Sequence, residues 1–327
     1  MKVPVNFNLR IKVKELCMLH AVLLLACSVV TQTSVSQYLQ DISVTVLANG
    51  ASGSGVIVTR EFDGHHVSFV LTAAHVILRN RVEETVTTAS GAKRTVVRYS
   101  EVQIVRELVE SGRKVGEVRM SARVVRVSPN EDIAVLQLNK TDYTEASAKF
   151  YLDEKIPELG TRLFHVGSLL GQIGSNSMTS GIMSQIGRII TENGQTLEYD
   201  QTTVTAFPGS SGGGVFLEDG RYIGMIVRGA GEGFNLIIPI RRIVRWAKTN
   251  NLMWLLDHSL PTPELKSVTS GPVEDSGPAG KATTDDDEME CYPYLIQVLP
   301  LVGRADYGTS SLRTATRRAG EAASLAP

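Results

Sequence analysis

Disulfide chemistry is the first thing this chain lacks. Its 327 residues hold three cysteines, Cys17, Cys27 and Cys291. None falls between 27 and 291, so no disulfide framework and no cysteine metal site can brace the long middle of the chain. A charge excess is missing too. Lys and Arg number 33 against 34 Asp and Glu, a net charge of −1, which leaves no electrostatic motive for nucleic-acid binding. No apolar run reaches the roughly 20 residues of a membrane-spanning helix. Aromatic residues are scarce, at 6 %, while glycines number 29. That balance disfavours a helical bundle and suits a turn-rich β protein. Hydrophobic residues still make up 43 % of the chain, enough to bury a sizeable core.

The amino terminus reads as an export signal. Lys2, Arg10, Lys12 and Lys14 precede an apolar stretch over 16–30, a length that fits a signal peptide and falls short of a spanning helix. Small residues at Ser34 and Ser36 predict cleavage after Ser36, and a signal segment over 1–36. Two other outcomes stay open: an uncleaved anchor, and a lipid on Cys27, because Leu24-Leu25-Ala26-Cys27 resembles a lipobox. Each places the protein outside the cytoplasm, secreted or periplasmic, with membrane contact only through this segment or that lipid.

From Gln37 onward short apolar runs of period two alternate with turn signals. Asn49-Gly50 and Asp63-Gly64 mark hairpins. One group of strands is predicted near 42–46, 56–58, 67–72, 95–99, 102–108, 117–120, 123–127 and 133–138. A second lies near 162–166, 178–190, 197–203, 214–217, 222–227 and 234–238. A helix-tolerant stretch over 141–154 joins the groups, and two strand groups predict two barrels. Pro239 opens a helical pattern over 240–256. Past Leu260, Pro, Gly and Ser punctuate the chain, with acidic residues before 290 and basic residues after it. Residues 258–327 therefore read as a disordered or weakly structured tail.

Three local contexts carry chemistry. Acyl transfer by a serine needs a base near pKa 6.5 and a buried carboxylate to orient that base. Ser211 lies in Pro208-Gly209-Ser210-Ser211-Gly212-Gly213, where glycines permit a tight turn that brings the backbone N–H groups of Gly209 and Ser211 together as an oxyanion hole. His75 ends the apolar run Leu71-Thr72-Ala73-Ala74. Asp132 opens the apolar strand Ile133-Ala134-Val135-Leu136, and Glu131 beside it is a competitor one residue further out.

Together, in the order His75, Asp132, Ser211, these contexts resemble the chymotrypsin-like serine peptidases, and most closely their disulfide-free, HtrA-like branch. Gly53-Ser54-Gly55-Val56-Ile57, Thr179-Ser180-Gly181-Ile182-Met183-Ser184 before Gly187-Arg188, and Gly233-Phe234 before Pro239 match as well. The resemblance covers about 37–257. It implies an all-β fold of two antiparallel six-stranded β-barrels, a closing helix over 241–256, and an active site in the cleft between the barrels. It implies a catalytic triad of His75, Asp132 and Ser211, with the backbone of Gly209, Ser210 and Ser211 at the oxyanion. It also implies a primary pocket near Thr205, Ala206, Val227, Gly229 and Asn235. None of these is acidic, so Arg or Lys is not selected at the cleaved position, and Arg228 in the adjacent wall favours acidic or polar residues nearby. No metal and no cofactor are implied, and the partners are protein or peptide substrates.

Two departures from related branches matter. The stretch after Asp257 is too short and too polar for a PDZ domain. The digestive branch sets its oxyanion loop with an acid just before the nucleophile, and Ser210 stands in that place. The function predicted is an exported serine endopeptidase. The competing class is a pseudoprotease or chaperone-like peptide-binding protein that holds extended chains on a strand edge.

Overall fold

A computed structural model of the protein describes residues 34–275, apart from 88–90, 111, 193–194 and 230–232. The export segment over 1–33 and the chain past 275 lie outside the described residues.

The first described element is a helix, α1 (Val35–Ile42), where strands were expected to begin. Its apolar positions 35, 38, 39 and 42 follow helical spacing, and the Ser34 hydroxyl caps it by accepting the Gln37 N–H. The expected cleavage after Ser36 falls inside its first turn. Leu39 and Ile42 are fully buried. Tyr38 OH donates to the Ser147 carbonyl, and Gln40 Nε2 donates to the Asn176 carbonyl. Gln37 Nε2 donates to the Val109 carbonyl, so the helix touches both strand groups.

The first barrel is built from β1 (Ser43–Ala48), β2 (Ala51–Phe62) and β3 (His65–Thr72), then β6 (Val102–Glu110), β7 (Arg113–Ser128) and β8 (Ile133–Leu138). It closes in the order β1-β2-β3-β8-β7-β6 with every neighbour antiparallel. Both predicted hairpins are present. Asn49 and Gly50 take φ of 38° and 80°, and Asp63 and Gly64 take 50° and 80°, the left-handed pair that suits two-residue hairpins. The runs expected at 117–120 and 123–127 form one strand, β7, with an irregularity between Val124 and Arg126.

The run expected at 95–99 is not a barrel strand. Strands β4 (Arg81–Thr87) and β5 (Lys93–Tyr99) pair only with each other as a separate two-stranded sheet. β4 is exposed on nearly every residue, so it carries none of the one-sided apolar pattern by which sequence reading finds a strand.

The second barrel takes β9 (Arg162–Leu169), β10 (Gly174–Glu192), β11 (Gln195–Thr202), β12 (Gly214–Leu217), β13 (Tyr222–Gly229) and β14 (Asn235–Pro239). Its closed order is β10-β11-β14-β13-β12-β9. The all-β architecture of two six-stranded barrels is thus the one the sequence predicts. The connection over 141–154 is extended instead of helical. Ala148 N–H donates to Ile57 and Tyr151 N–H donates to Tyr222, so its backbone groups find partners on both barrels and no helix is needed to satisfy them.

The closing segment is two helices instead of one. After α2 (Ala74–Ile77), which carries His75, the chain forms α3 (Ile240–Thr249) and α4 (Met253–Leu256). Asn251 adopts φ 56°, and Leu252 N–H reaches back to the Ala247 carbonyl, a left-handed cap that ends α3. Trp254 of α4 then meets Phe62 and Phe69 of the first barrel at centroid distances of 5.4 and 5.3 Å.

Part of the expected tail is packed. Arg60, buried, donates to the Asp257 and Leu260 carbonyls. A short helix, α5 (Leu265–Ser270), buries Val268. Residues 273–275 then run along β7: Val127 N–H donates to Val273 and Asp275 N–H donates to Val127. Glu274 takes Arg81 at 2.7 Å and Tyr99 OH at 2.6 Å, while Asp275 takes the Trp246 indole N–H at 2.8 Å. Polar composition hid this strap because backbone pairing and charged anchors hold it, with little apolar burial.

Candidate active site

Strand register explains why a histidine and an aspartate distant in sequence meet. Thr72 at the end of β3 pairs with Ala134 near the start of β8. His75 lies just past the one strand, and Asp132 just before the other. The Asp132 carboxylate accepts the His75 backbone N–H at 2.9 Å. Its two oxygens lie 2.9 and 3.0 Å from His75 Nδ1. Nδ1 must carry the proton to make that contact, which leaves the lone pair on Nε2. Asp132 holds a left-handed backbone, φ 56°, a conformation that Asp tolerates better than most residues.

Burial pulls the His75 pKa down, but the charge and hydrogen bond of Asp132 outweigh it, with Arg228 opposing, so the net shift is upward. Glu131, the competing carboxylate, faces away. It accepts Arg242 Nε at 2.6 Å, and Arg242 Nη2 grips the Glu131 carbonyl at 2.8 Å. Arg242 is buried against Tyr199. Sequence reading missed this arginine, although a basic residue among the apolar positions 240, 243, 246 and 247 of α3 was a signal.

The serine arrives from the second barrel, on the loop between β11 and β12. A side-chain carbon at Gly53 would lie 3.0 Å from the Ser211 carbonyl and 2.6 Å from Val76, while one at Gly212 would lie 3.0 Å from Ala73 N. The serine loop and the histidine loop are therefore packed against each other. The Pro208 carbonyl accepts Leu170 N–H, and the Ser210 carbonyl accepts Gly213 N–H. In a trans peptide C=O and N–H point oppositely, so the N–H groups of Gly209 and Ser211 are turned away from those donors. Ser210 N–H points the other way, into the Phe207 carbonyl at 2.8 Å. Ser210, counted among the oxyanion donors on sequence, is thus corrected: its N–H is engaged inside the loop. Its hydroxyl, buried, accepts Phe207 N–H.

The expected pocket residues gather on one wall. Asn235 Nδ2 donates to Val204 O at 2.6 Å, and its side chain fills the space a carbon on Gly229 would need. Ala206 and Val227 are buried, and the Thr205 carbonyl accepts Thr179 Oγ1. Arg228 is exposed, 5.9 Å from the Tyr199 ring centre. Among the described residues no cluster of His, Cys, Asp or Glu is arranged for a metal.

Residues 53–225, which contain all three of these positions, match the profile of the trypsin-like peptidase domain. The chain belongs to that family. Two similar curated proteins are the Do-like HtrA serine proteases of Lactococcus lactis subsp. cremoris strain MG1363, 35 % identical over 115 residues, and of Lactobacillus helveticus, 35 % identical over 107 residues. These matches cover 34 % and 32 % of this chain, and 28 % and 25 % of the relatives, so the chain spans only about a quarter of their length. Among solved structures, Deg5 aligns over 68 % of this chain and 94 % of its own, with 21 % identity and a TM-score of 0.49. The serine endoprotease from Yersinia pestis aligns over 68 % and 67 %, with 20 % identity and a TM-score of 0.47.

Within the trypsin-like family frame, one further residue went unread. Ser54 was noted only as part of a matching glycine motif, yet its hydroxyl reaches both Gly209 and Ser168. A serine set between two glycines at the start of a buried strand was the available signal.

Proposed function

We propose that this protein is an exported serine endopeptidase that cleaves protein or peptide substrates through an acyl-enzyme. The observation that carries the reading is the Asp132–His75 pair set against a serine loop that packs on the histidine loop. Ser211 Oγ attacks the scissile carbonyl as His75 Nε2 takes its proton. Asp132 keeps the proton on Nδ1 and stabilises the imidazolium. The two N–H groups take up the charge on the carbonyl oxygen. His75 then protonates the leaving amine, and water hydrolyses the acyl-enzyme by the reverse sequence.

The neutral wall of Ala206, Val227 and Asn235 favours small or medium apolar side chains at the cleaved position. Arg228 favours acidic or polar residues close by. No new charged amino terminus is needed for activity, because neutral Ser210 occupies the place of its partner. Export follows from the basic and apolar amino-terminal segment.

A fluorophosphonate probe, with mapping of cuts in a denatured proteome, tests the reading. Ser211→Ala should abolish labelling and lower turnover by roughly 10⁴- to 10⁶-fold with the fold unchanged. Labelling that persists in Ser211→Ala and vanishes in Ser210→Ala would reject it.

A further inference from the structure

Ser54 is completely buried, and every polar group it owns is engaged, its N–H and its hydroxyl with the second barrel and its carbonyl within the first. Its N–H donates to the Ser211 carbonyl at 2.7 Å. Its carbonyl accepts the Thr72 hydroxyl at 2.7 Å. Its own hydroxyl accepts Ser168 N–H at 2.7 Å and lies 2.7 Å from the Gly209 carbonyl. A carbonyl only accepts and a backbone N–H only donates. The single hydroxyl proton of Ser54 is therefore aimed at Gly209. Space is reserved for it: a side-chain carbon at Gly167 would come within 2.9 Å of Ser54 Oγ, and one at Gly213 within 3.1 Å of its Cβ.

Gly209 is where that bond matters. At φ +96° it holds a left-handed backbone, and a carbon there would lie 2.2 Å from the Ser168 carbonyl. A glycine has no side chain to limit its own rotation, so its two flanking peptide planes must be fixed by neighbours. Leu170 N–H fixes the plane before it, through the Pro208 carbonyl. The plane after it is held at both ends, the Gly209 carbonyl by the Ser54 hydroxyl and the Ser210 N–H by the Phe207 carbonyl. Without that hydroxyl the Gly209 carbonyl is a buried acceptor left unpaired, and rotating the peptide toward another donor recovers the loss. That rotation pulls Ser210 N–H, on the same peptide, out of the Phe207 carbonyl, and the torsions it changes at Gly209 and Ser210 displace the flanking Gly209 and Ser211 N–H groups.

We propose that Ser54 is a positioning residue, whose hydroxyl in the first barrel sets the oxyanion hole of the second. It does so in place of the charged pair that Ser210 cannot make. The proposal rests on Ser211 being the nucleophile. Ser54→Ala should lower kcat by roughly 10- to 100-fold, the size of one well-placed hydrogen bond, with KM nearly unchanged. Affinity for a peptide boronate, which becomes tetrahedral on Ser211, should fall in parallel, while affinity for the cleaved product peptide should hold. Ser54→Cys, which keeps a weaker donor, should lie between, and it carries the test if the alanine variant misfolds. The control is Thr45→Val, which removes a buried hydroxyl bonded to Ser168 Oγ at 2.5 Å; it should lower the melting temperature and leave kcat alone.

Wild-type kcat and boronate affinity in Ser54→Ala overturn the proposal. So does an equal fall of kcat in Thr45→Val. The Gly209 amide resonance in ¹⁵N NMR is read without any activity: it should move in Ser54→Ala, and an unmoved resonance also overturns it. Wild-type protein that takes no fluorophosphonate label rejects the nucleophile reading instead.

Discussion

Removing the Glu131 carboxylate should cost more stability than removing its partner Arg242, because the two are buried unequally. The Arg242 side chain is 2 % exposed and that of Glu131 is 35 % exposed. Glu131→Gln strands a cation inside the protein, held by the carbonyls of residue 131 and Glu198 and by the face of Tyr199. Breaking a buried pair this way costs about 3–5 kcal/mol. Arg242→Met leaves a carboxylate that water can reach, so its loss is the charge-assisted hydrogen bonds alone, about 1–3 kcal/mol. With Met at 242 the charge on Glu131 has no partner to lose. The double variant should therefore resemble Arg242→Met, with a coupling as large as the Glu131→Gln loss itself, about 3–5 kcal/mol.

Urea unfolding monitored by fluorescence reads these values through midpoints at unchanged slope. The Arg242 grip on the Glu131 carbonyl also fixes the peptide that leads into left-handed Asp132, so both single variants should lower kcat more than they raise KM. Additive stability losses, or a Glu131→Gln cost below that of Arg242→Met, would refute the reasoning.

The pH profile follows from His75, which must be neutral to accept the serine proton. Since the net effect of its surroundings is to raise its pKa above 6.5, the acid limb of kcat/KM should lie above that value. Arg228→Ala removes a repelling charge, so imidazolium becomes easier to form; the limb should move further up and activity near pH 6 should fall. A limb that moves down would contradict the electrostatics. The strap gives the other test. Ending the chain at 260 strips buried Val127 of both backbone partners, so calorimetry should show a melting temperature lower by on the order of 5–10 °C than for a chain ending at 275. Equal melting would mean the strap adds no stability.

What was legible in the sequence was local. Asn49-Gly50 and Asp63-Gly64 announce their turns because the left-handed pair is a property of those residues. The second barrel's six strands show apolar runs with clear punctuation. His75, Asp132 and Ser211 could be picked out because each ends or opens a buried strand or sits among glycines. Helix α1 was hidden because a processing signal was read through the same residues. The strap over 258–275 was hidden because what holds it, Arg60, Arg81, Tyr99, Trp246 and the Val127 backbone, comes from far along the chain. No composition of the strap itself reports those partners.

The loop over 207–211 is held by neutral groups. With Ser210 in place of an acid, the residue before Ser211 offers no carboxylate to pair with an ammonium. The structure supplies what stands in for it: Ser210 Oγ takes Phe207 N–H, Leu170 takes the Pro208 carbonyl, and Ser54 takes the Gly209 carbonyl. These are neutral hydrogen bonds, each of about 1 kcal/mol net, and no buried ammonium has to be desolvated to make them. Ser54 belongs to the first barrel, while Ser168 and Leu170 belong to β9 and the turn after it. The loop's geometry therefore depends on how the two barrels are packed together. A loop set by packing is ordered as soon as the barrels close on each other. A change that shifts this packing should therefore disturb the Gly209 peptide, to which the first barrel donates through the Ser54 hydroxyl.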